Sequence, residues 1–271
     1  VEVMLLVCIF IAIAAAAALI FFLRTGMIWQ SLVVAAAVYL GIHVLLIGFY
    51  AIVGLFVDTS KPIVRQSDIC RAGAWAISTL GCFYAGARVH LRGEEKLPQS
   101  GRFVMVSNHR SGIDPIAAMS AMRKYNVSFI SKPSNMQLPV LGRVAYGAGC
   151  LPIDRENDHN ALRTILQAAD YLRQGFCSMA IYPEGTRNRG EGLLPFHAGS
   201  FKLPQRAGVP LVIMATTGTS HRDRRGLLGR NVELTVLETL DAEKVSSMST
   251  AELSAYAMDK IGSFLAQKES A

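Results

Sequence analysis

The sequence predicts an α/β protein: a three-layer domain on a mostly parallel or mixed sheet, preceded by an N-terminal hydrophobic helical hairpin. Three observations carry that prediction. Residues 1–57 hold only two charged side chains, Glu2 and Arg24. From Asp58 onward, short apolar runs alternate with segments of helical period, the pattern of strands and covering helices. The chain of 271 residues is 51% hydrophobic and 17% charged, against roughly 25% charge in ordinary soluble domains. That composition excludes a disordered chain. The formal net charge is +7, and it lies wholly beyond residue 57 because Glu2 and Arg24 cancel. A neutral apolar part therefore precedes a basic part, and the basic excess points to an anionic partner.

The elements follow in order. Val3 to Leu23 carries no charge and is long enough to cross a hydrocarbon layer of ~30 Å. Arg24-Thr25-Gly26 interrupts it, and Met27 to Val57 is a second uncharged run. Two such runs joined by so short a turn make a membrane hairpin over residues 1–57, integral if it spans and monotopic if it enters one leaflet. Lys61, Arg65 and Arg71 follow the second run against Arg24 in the turn, which places the rest of the chain on the cytoplasmic side. A signal peptide is disfavoured by Glu2 in place of a basic start and by the second apolar run. His43 reads as a hydrogen-bonded packing histidine.

Residues 58–86 read as a linker containing an amphipathic helix, Ser67–Tyr84. Its expected stripe is Ile69, Ala72, Ala76, Leu80 and Phe83, with Trp75 and Tyr84 at a membrane interface or in the core. Residues 87–271 read as the α/β domain. Its expected strands are Ala87–Arg92, Phe103–Ser107, Ser128–Ser131, Cys150–Ile153, Ser178–Tyr182, Leu211–Thr216 and Val232–Leu237. A helix over Asn160–Arg173 has the stripe Leu162, Ile165, Leu166, Ala169 and Leu172. Ser249 and Glu252 have capping-box spacing and start the closing helix. The cysteines Cys8, Cys70, Cys82, Cys150 and Cys177 are odd in number and show no metal-like spacing, so they read as core filler. His90, His159, His197 and His221 are scattered, and no metal site is expected.

In such a sheet, chemistry collects beyond the carboxyl ends of strands. Two polar clusters stand there. Ser107-Asn108-His109-Arg110-Ser111-Gly112-Ile113-Asp114 follows one expected strand, and Pro183-Glu184-Gly185-Thr186-Arg187 follows another. A turn into a helix lets a carboxylate five residues on return to the imidazole and orient it, leaving the other ring nitrogen free to take a proton. The same spacing fits a loop histidine with Asp114 as a helix cap before Pro115. The second cluster offers a guanidinium, a hydroxyl and a glycine suited to holding a phosphate. It also fits a surface turn closed by a Glu184–Arg187 pair.

Together these residues resemble the 1-acyl-sn-glycerol-3-phosphate acyltransferase family. Asn108-His109-x4-Asp114 and Pro183-Glu184-Gly185-Thr186-Arg187 are similar to its two main motifs. Lys132, Leu138-Pro139-x-x-Gly142, Leu151-Pro152-Ile153-Asp154-Arg155, Leu194-Pro195-Phe196 with Gly199-Ser200-Phe201, and Val209-Pro210-Leu211-Val212 are similar to its other blocks. Tyr182 stands where Phe is more usual, and Ile213-Met214 replaces a Pro-Val pair. The resemblance covers about Ala87 to Thr217. It implies an acyltransferase-type α/β fold and transfer from a thioester, on CoA or acyl-carrier protein, to a lysophospholipid hydroxyl. His109 would be the base and Asp114 its orienter. Arg187, with Glu184, Gly185 and Thr186, would hold the acceptor phosphate, Asn108 would be a substrate contact, and Lys132 and Arg155 would be further phosphate or thioester contacts. No cofactor is implied beyond the thioester.

The basic stretch His221-Arg222-Asp223-Arg224-Arg225, with Arg230, fits anionic lipid, the CoA phosphates or an acidic carrier, and equally a solvated loop. Nucleic acid is disfavoured because that stretch is short and lacks interleaved aromatics. A covalent route through Ser107 or Ser111 is disfavoured because no G-x-S-x-G elbow is present. Two other readings stand beside the first. One is the same chemistry on glycerol 3-phosphate, another lysophospholipid or a lipidated amino acid. The other is a non-catalytic module that binds acidic lipid.

Overall fold

Long apolar runs without Pro leave the backbone to satisfy its own hydrogen bonds, and both runs of the N-terminal segment are helical. The computed structural model describes residues 2–154, 157–220 and 229–269. The chain divides into two units, residues 1–57 and 58–271. In the first, α1 (Glu2–Thr25) and α2 (Ile28–Leu55) pack as a hairpin. Val7, Phe10 and Ala14 of α1 and Ser31, Tyr50 and Gly54 of α2 are buried. Most other apolar side chains face outward, including Trp29, Leu45 and Leu55. Both helices are long and apolar enough to cross a membrane. His43 Nδ1 donates to Tyr39 O at 2.8 Å, and its ring meets Phe10 edge-on, so it is a packing histidine.

The second unit begins with residues 58–67, which are tied to the domain behind them. Tyr146 donates its hydroxyl to Lys61 O, Ile63 N donates to Tyr171, and Gln66 bonds Asn126 and Ala148. The helix α3 (Asp68–Tyr84) is capped by Ser67, whose hydroxyl accepts from Cys70 N. The segment expected as a linker thus lies within the unit. The expected stripe is also displaced. Ala76 and Leu80 are buried, but Ile69, Ala72 and Phe83 are exposed, while Cys70, Gly73, Ala74, Ser78, Thr79 and Cys82 are buried. Small residues set this face because a neighbouring helix, α4 (Ile113–Ala121), comes close. Ile116 Cδ1 lies 3.2 Å from where a Cβ on Gly81 would sit, and Thr79 and Ser120 share a hydrogen bond. Trp75 is half-buried beneath the Arg123 guanidinium, and Tyr84 is exposed.

Among the described residues, seven strands form one sheet: β1 (Ala87–Arg92), β2 (Val104–Ser107), β3 (Val127–Ser131), β4 (Leu151–Pro152), β5 (Ser178–Ile181), β6 (Leu211–Thr217) and β7 (Arg230–Leu240), in the order β1-β7-β6-β2-β5-β3-β4. The strands β6, β2, β5, β3 and β4 are parallel. β7 runs antiparallel to β6, with an irregularity at Ile213/Met214, and β1 is parallel to β7. The sheet is therefore mixed. The expected fourth strand shrinks to two residues and the seventh lengthens. Continuous apolar runs in β2 and β5 are buried on both faces. Met105, Ala180, Val212 and Met214 pack with Ala118 of α4 and with Met122 just beyond its end. The alternating Val104, Met179, Leu211 and Ile213 are buried on the other face. There α7 (Asp158–Arg173) meets β4 and β5, and α10 (Thr250–Glu269) meets β6.

Shorter α-helices among the described residues are α5 (Pro133–Met136), α6 (Leu141–Gly147), α8 (Lys202–Ala207) and α9 (Ala242–Ser247). On α7 the buried face is Ile165, Ala168, Ala169, Tyr171 and Leu172, whereas Leu162 and Leu166 of the expected stripe are exposed. Ser249 and Glu252 form the expected capping box before α10, each side chain bonding the other's backbone N–H. Four cysteines, Cys70, Cys82, Cys150 and Cys177, are buried and unbridged; Cys8 is exposed on α1. Burial pushes the Cys150 thiol up to about 12 and the Cys82 and Cys177 thiols up to about 11, as expected of packing residues.

Candidate active site

β2 and β5 are parallel neighbours in the middle of the sheet, with Val106 opposite Ile181. The loops that follow them therefore leave the same edge side by side. The first loop carries His109 to the start of α4. There His109 Nδ1 donates to Asp114 Oδ2 at 2.7 Å. The same oxygen accepts from Arg110 N at 2.7 Å and Ser111 N at 2.8 Å. Asp114 is fully buried, and the His109 side chain is 17% exposed. This pairing puts the proton on Nδ1 and leaves Nε2 as an acceptor, the arrangement a general base requires.

The second loop supports the first. Glu184 is buried, and its two carboxylate oxygens accept from His109 N at 2.7 Å and Leu194 N at 3.0 Å. Burial pushes the Glu184 carboxyl up; the two N–H groups and the charges of His109 and Arg110 pull it back. Asn188 N donates to His109 O at 2.7 Å, so both backbone groups of His109 are held from the β5 loop. Gly185 turns the chain with φ +75°, a conformation that side chains rarely adopt. The Tyr182 ring stacks on the His109 imidazole, with centroids 4.2 Å apart and planes 14° apart.

His109, Asp114, Glu184, Gly185 and Arg187 come together. Thr186 and Arg187 are exposed, and an Arg187 guanidinium nitrogen lies 3.7 Å from where a Cβ on Gly112 would be, over the start of α4. Lys132 is exposed at the carboxyl end of β3, on the same edge of the sheet. Asn108 and Glu184 are turned inward. Asn108 is fully buried, its Oδ1 accepting from Thr216 N at 2.8 Å and its Nδ2 donating to Thr216 O at 2.9 Å. Neither side chain presents a polar group outward, in contrast to the substrate contacts the resemblance implies. Arg155 and His221 to Arg225 lie outside the described residues. Arg230 opens β7 and donates to Thr219 O.

Ser107 is buried, and its hydroxyl is shared with Thr216 at 3.0 Å. The Ser111 hydroxyl accepts from Ile113 N. Both serines are thus engaged in local structure. Sequence reasoning missed Tyr182 and Thr216; the signal for Tyr182 was an aromatic side chain at the strand end directly before Pro183-Glu184. A cavity of ≈ 520 Å³ opens beside Tyr182 and Gly185. Ile130, Ile153, Leu162 and Ile165 line it on the apolar side, and Ser200 and Lys202 supply polar groups. The exposure of Leu162 is explained by this cavity.

The chain is similar to known proteins over the segment that carries these loops. A family model described as Acyltransferase matches residues 88–217. The 1-acyl-sn-glycerol-3-phosphate acyltransferase of Salmonella typhimurium is 28% identical over 172 residues, 63% of this chain and 70% of that protein. The 1-acyl-sn-glycerol-3-phosphate acyltransferase alpha of Ovis aries is 34% identical over 127 residues, 47% of this chain and 44% of that protein. The crystal structure of the 1-acyl-sn-glycerophosphate (LPA) acyltransferase PlsC from Thermotoga maritima superposes with a TM-score of 0.63 at 20% identity, covering 83% of this chain and 88% of that one. The matched segment, just under half of the chain, contains the loops after β2 and β5 and the His109–Asp114 pair, so over this stretch the chain is similar to the acyltransferase family.

Proposed function

We propose that this protein transfers a fatty acyl group from a thioester, carried by CoA or acyl-carrier protein, to the 2-hydroxyl of 1-acyl-glycerol-3-phosphate, making phosphatidic acid. The observation that carries the reading is the 2.7 Å bond from His109 Nδ1 to the buried Asp114. In this reading His109 Nε2 takes the proton of the glycerol hydroxyl as that oxygen attacks the thioester carbonyl. The tetrahedral intermediate then expels the thiolate, which recovers the proton from the imidazolium. Asp114 supports the imidazolium while it exists. Arg187, at the start of α4, receives the acceptor phosphate together with the helix N-terminus. Thr186 lies beside it, and Lys132 extends the cationic rim; Arg155, outside the described residues, is assigned a further contact by the resemblance alone. Glu184 and Asn108 act by holding the loops. No cofactor enters beyond the thioester.

The apolar hairpin supports membrane attachment with the catalytic unit on the cytoplasmic side, where lipid acceptors and soluble thioesters meet. The test is acyl transfer by purified full-length protein in lipid–detergent micelles. A labelled acyl thioester is offered with 1-acyl-glycerol-3-phosphate, glycerol 3-phosphate, uncharged lysolipids and a lipidated amino acid. Label is expected in phosphatidic acid. His109→Ala is expected to lower turnover by about 10²–10⁴-fold, the usual worth of a general base. Labelling of another acceptor in preference would replace the substrate, and a His109→Ala protein of normal turnover would remove the mechanism.

A further inference from the structure

Two buried polar atoms of the active site have no hydrogen-bond partner among the described residues, the Asp114 Oδ1 oxygen and the Tyr182 hydroxyl. Their chemistry is complementary. Asp114 is wholly buried and Tyr182 is 7% exposed, so bulk water satisfies neither. Buried polar groups in folded proteins nearly always find a partner, in the protein or in an enclosed water. Burial, and then the charge of Asp114, hold the Tyr182 phenol well above its usual range. The hydroxyl therefore keeps its proton and stays a donor, and the carboxylate oxygen is an acceptor in the same electrostatic neighbourhood. The position of the phenol is also constrained, because its ring stacks on His109 and on Phe129.

We propose that Tyr182 is a positioning residue for the His109–Asp114 pair: its ring fixes the plane of the imidazole, and its hydroxyl is joined to Asp114 Oδ1 through one enclosed water. Such a bridge completes the carboxylate. Oδ2 is occupied by His109 Nδ1 and two backbone N–H groups, and Oδ1 receives the fourth donor. A donor on Oδ1 draws negative charge away from the face that meets the imidazole. Removing it leaves more charge opposite His109, which favours the imidazolium and takes the base out of its working form at higher pH. The other charged groups about the pair are Glu184 behind the His109 backbone, Arg110 beside it and Arg187 over Gly112. All three stay in place when the hydroxyl alone is removed.

Tyr182→Phe keeps the stacked ring and deletes the hydroxyl. In full-length protein with nitrogen-labelled histidine, the His109 titration is read by NMR and assigned by its loss in His109→Ala. The Tyr182→Phe midpoint is expected to rise, because the carboxylate facing the imidazole then carries more of its charge. The acid limb of the kcat profile is expected to follow it. In an Asp114→Asn background the same change is expected to move nothing, because no carboxylate remains to be relieved. An unmoved midpoint together with a raised melting temperature would show an orphan hydroxyl without a role and overturn the inference; so would an equal shift in the Asp114→Asn background. The inference rests on the proposed reaction only for its rate readout. A moved titration in a protein that acylates nothing would retain the positioning role and sink the functional reading, and an unmoved titration in an active enzyme would do the reverse.

Discussion

Asn108 stands next to the proposed base His109 in sequence, yet both halves of its amide are spent on the Thr216 backbone, 108 residues away. The bond pair ties the end of β2 to the end of β6 directly beneath His109. Such a clamp predicts its own signature. Asn108→Ala strands a buried N–H and a buried C=O of Thr216, and each unsatisfied group costs about 1–3 kcal/mol. A domain of this size loses roughly 2–4 °C of melting temperature per kcal/mol. The expected result is a clear fall in thermal midpoint, with the KM for the acceptor within about twofold of the parent and the loss confined to kcat. A raised acceptor KM in a protein of parental stability would instead return Asn108 to the phosphate site. The same argument separates the legible part of the site from the rest. The His109–Asp114 partnership is written in a five-residue spacing. The duties of Asn108 and Glu184 are not, because their partners are backbone groups of Thr216 and Leu194, which no side-chain pattern marks.

At the scale of elements, the corner between α5 and α6 is set by close approach. Val140 takes φ +62° and ψ −58°, and Leu141 N donates to Pro139 O, the three-residue bond of a γ-turn. Two residues later, a Cβ on Gly142 would overlap the Met136 backbone carbonyl, which no side-chain rotation relieves. Gly142→Ala is therefore expected to cost about 1–3 kcal/mol or to displace α5, and with it Lys132 at its N-terminus. A thermal melt of the full chain checks it; an unchanged midpoint would mean the corner opens freely. Glycines in such corners explain what the amino-acid pattern shows and hides. Strand positions were readable because β2, β5 and β6 are continuous apolar runs bounded by Gly, Pro or polar residues. Helix faces were less so. On α3 the inward face is Gly73, Ala74, Ser78 and Thr79, chosen because small residues admit α4 closely, and a search for large apolar residues points to Ile69 and Phe83 instead. On α7, Leu162 faces a cavity rather than the core. The direction of β7 was likewise hidden, because an alternating strand reads the same whichever way it runs.

For the whole molecule, the decisive question is on which side of a bilayer the catalytic unit stands. The helix α1 has 24 residues and α2 has 28, so they are roughly 36 and 42 Å long. Either length exceeds the ~30 Å hydrocarbon layer and is accommodated by tilt. A hairpin confined to one leaflet would lay both helices flat or leave Arg24 and Thr25 in hydrocarbon, where a charged side chain costs about 2.5–3.5 kcal/mol or more. A spanning hairpin instead delivers Arg24 to the far interface. Trp29 and Phe56, both strongly exposed, lie near the two ends of α2, where aromatic side chains favour the interface. Orientation then follows from basic residues: Arg24 in the turn against Lys61, Arg65 and Arg71 after the second helix. The turn is expected outside and residues from Asp58 onward in the cytoplasm. Single cysteines test this in a Cys8→Ser background, since the remaining four native cysteines are buried. With a membrane-impermeant maleimide on intact cells, Thr25→Cys is expected to label at once and Ser60→Cys only after permeabilisation. Labelling of both positions only after permeabilisation would identify a hairpin held in the inner leaflet. Labelling of Ser60→Cys alone on intact cells would invert the protein and separate its catalytic unit from any cytoplasmic thioester.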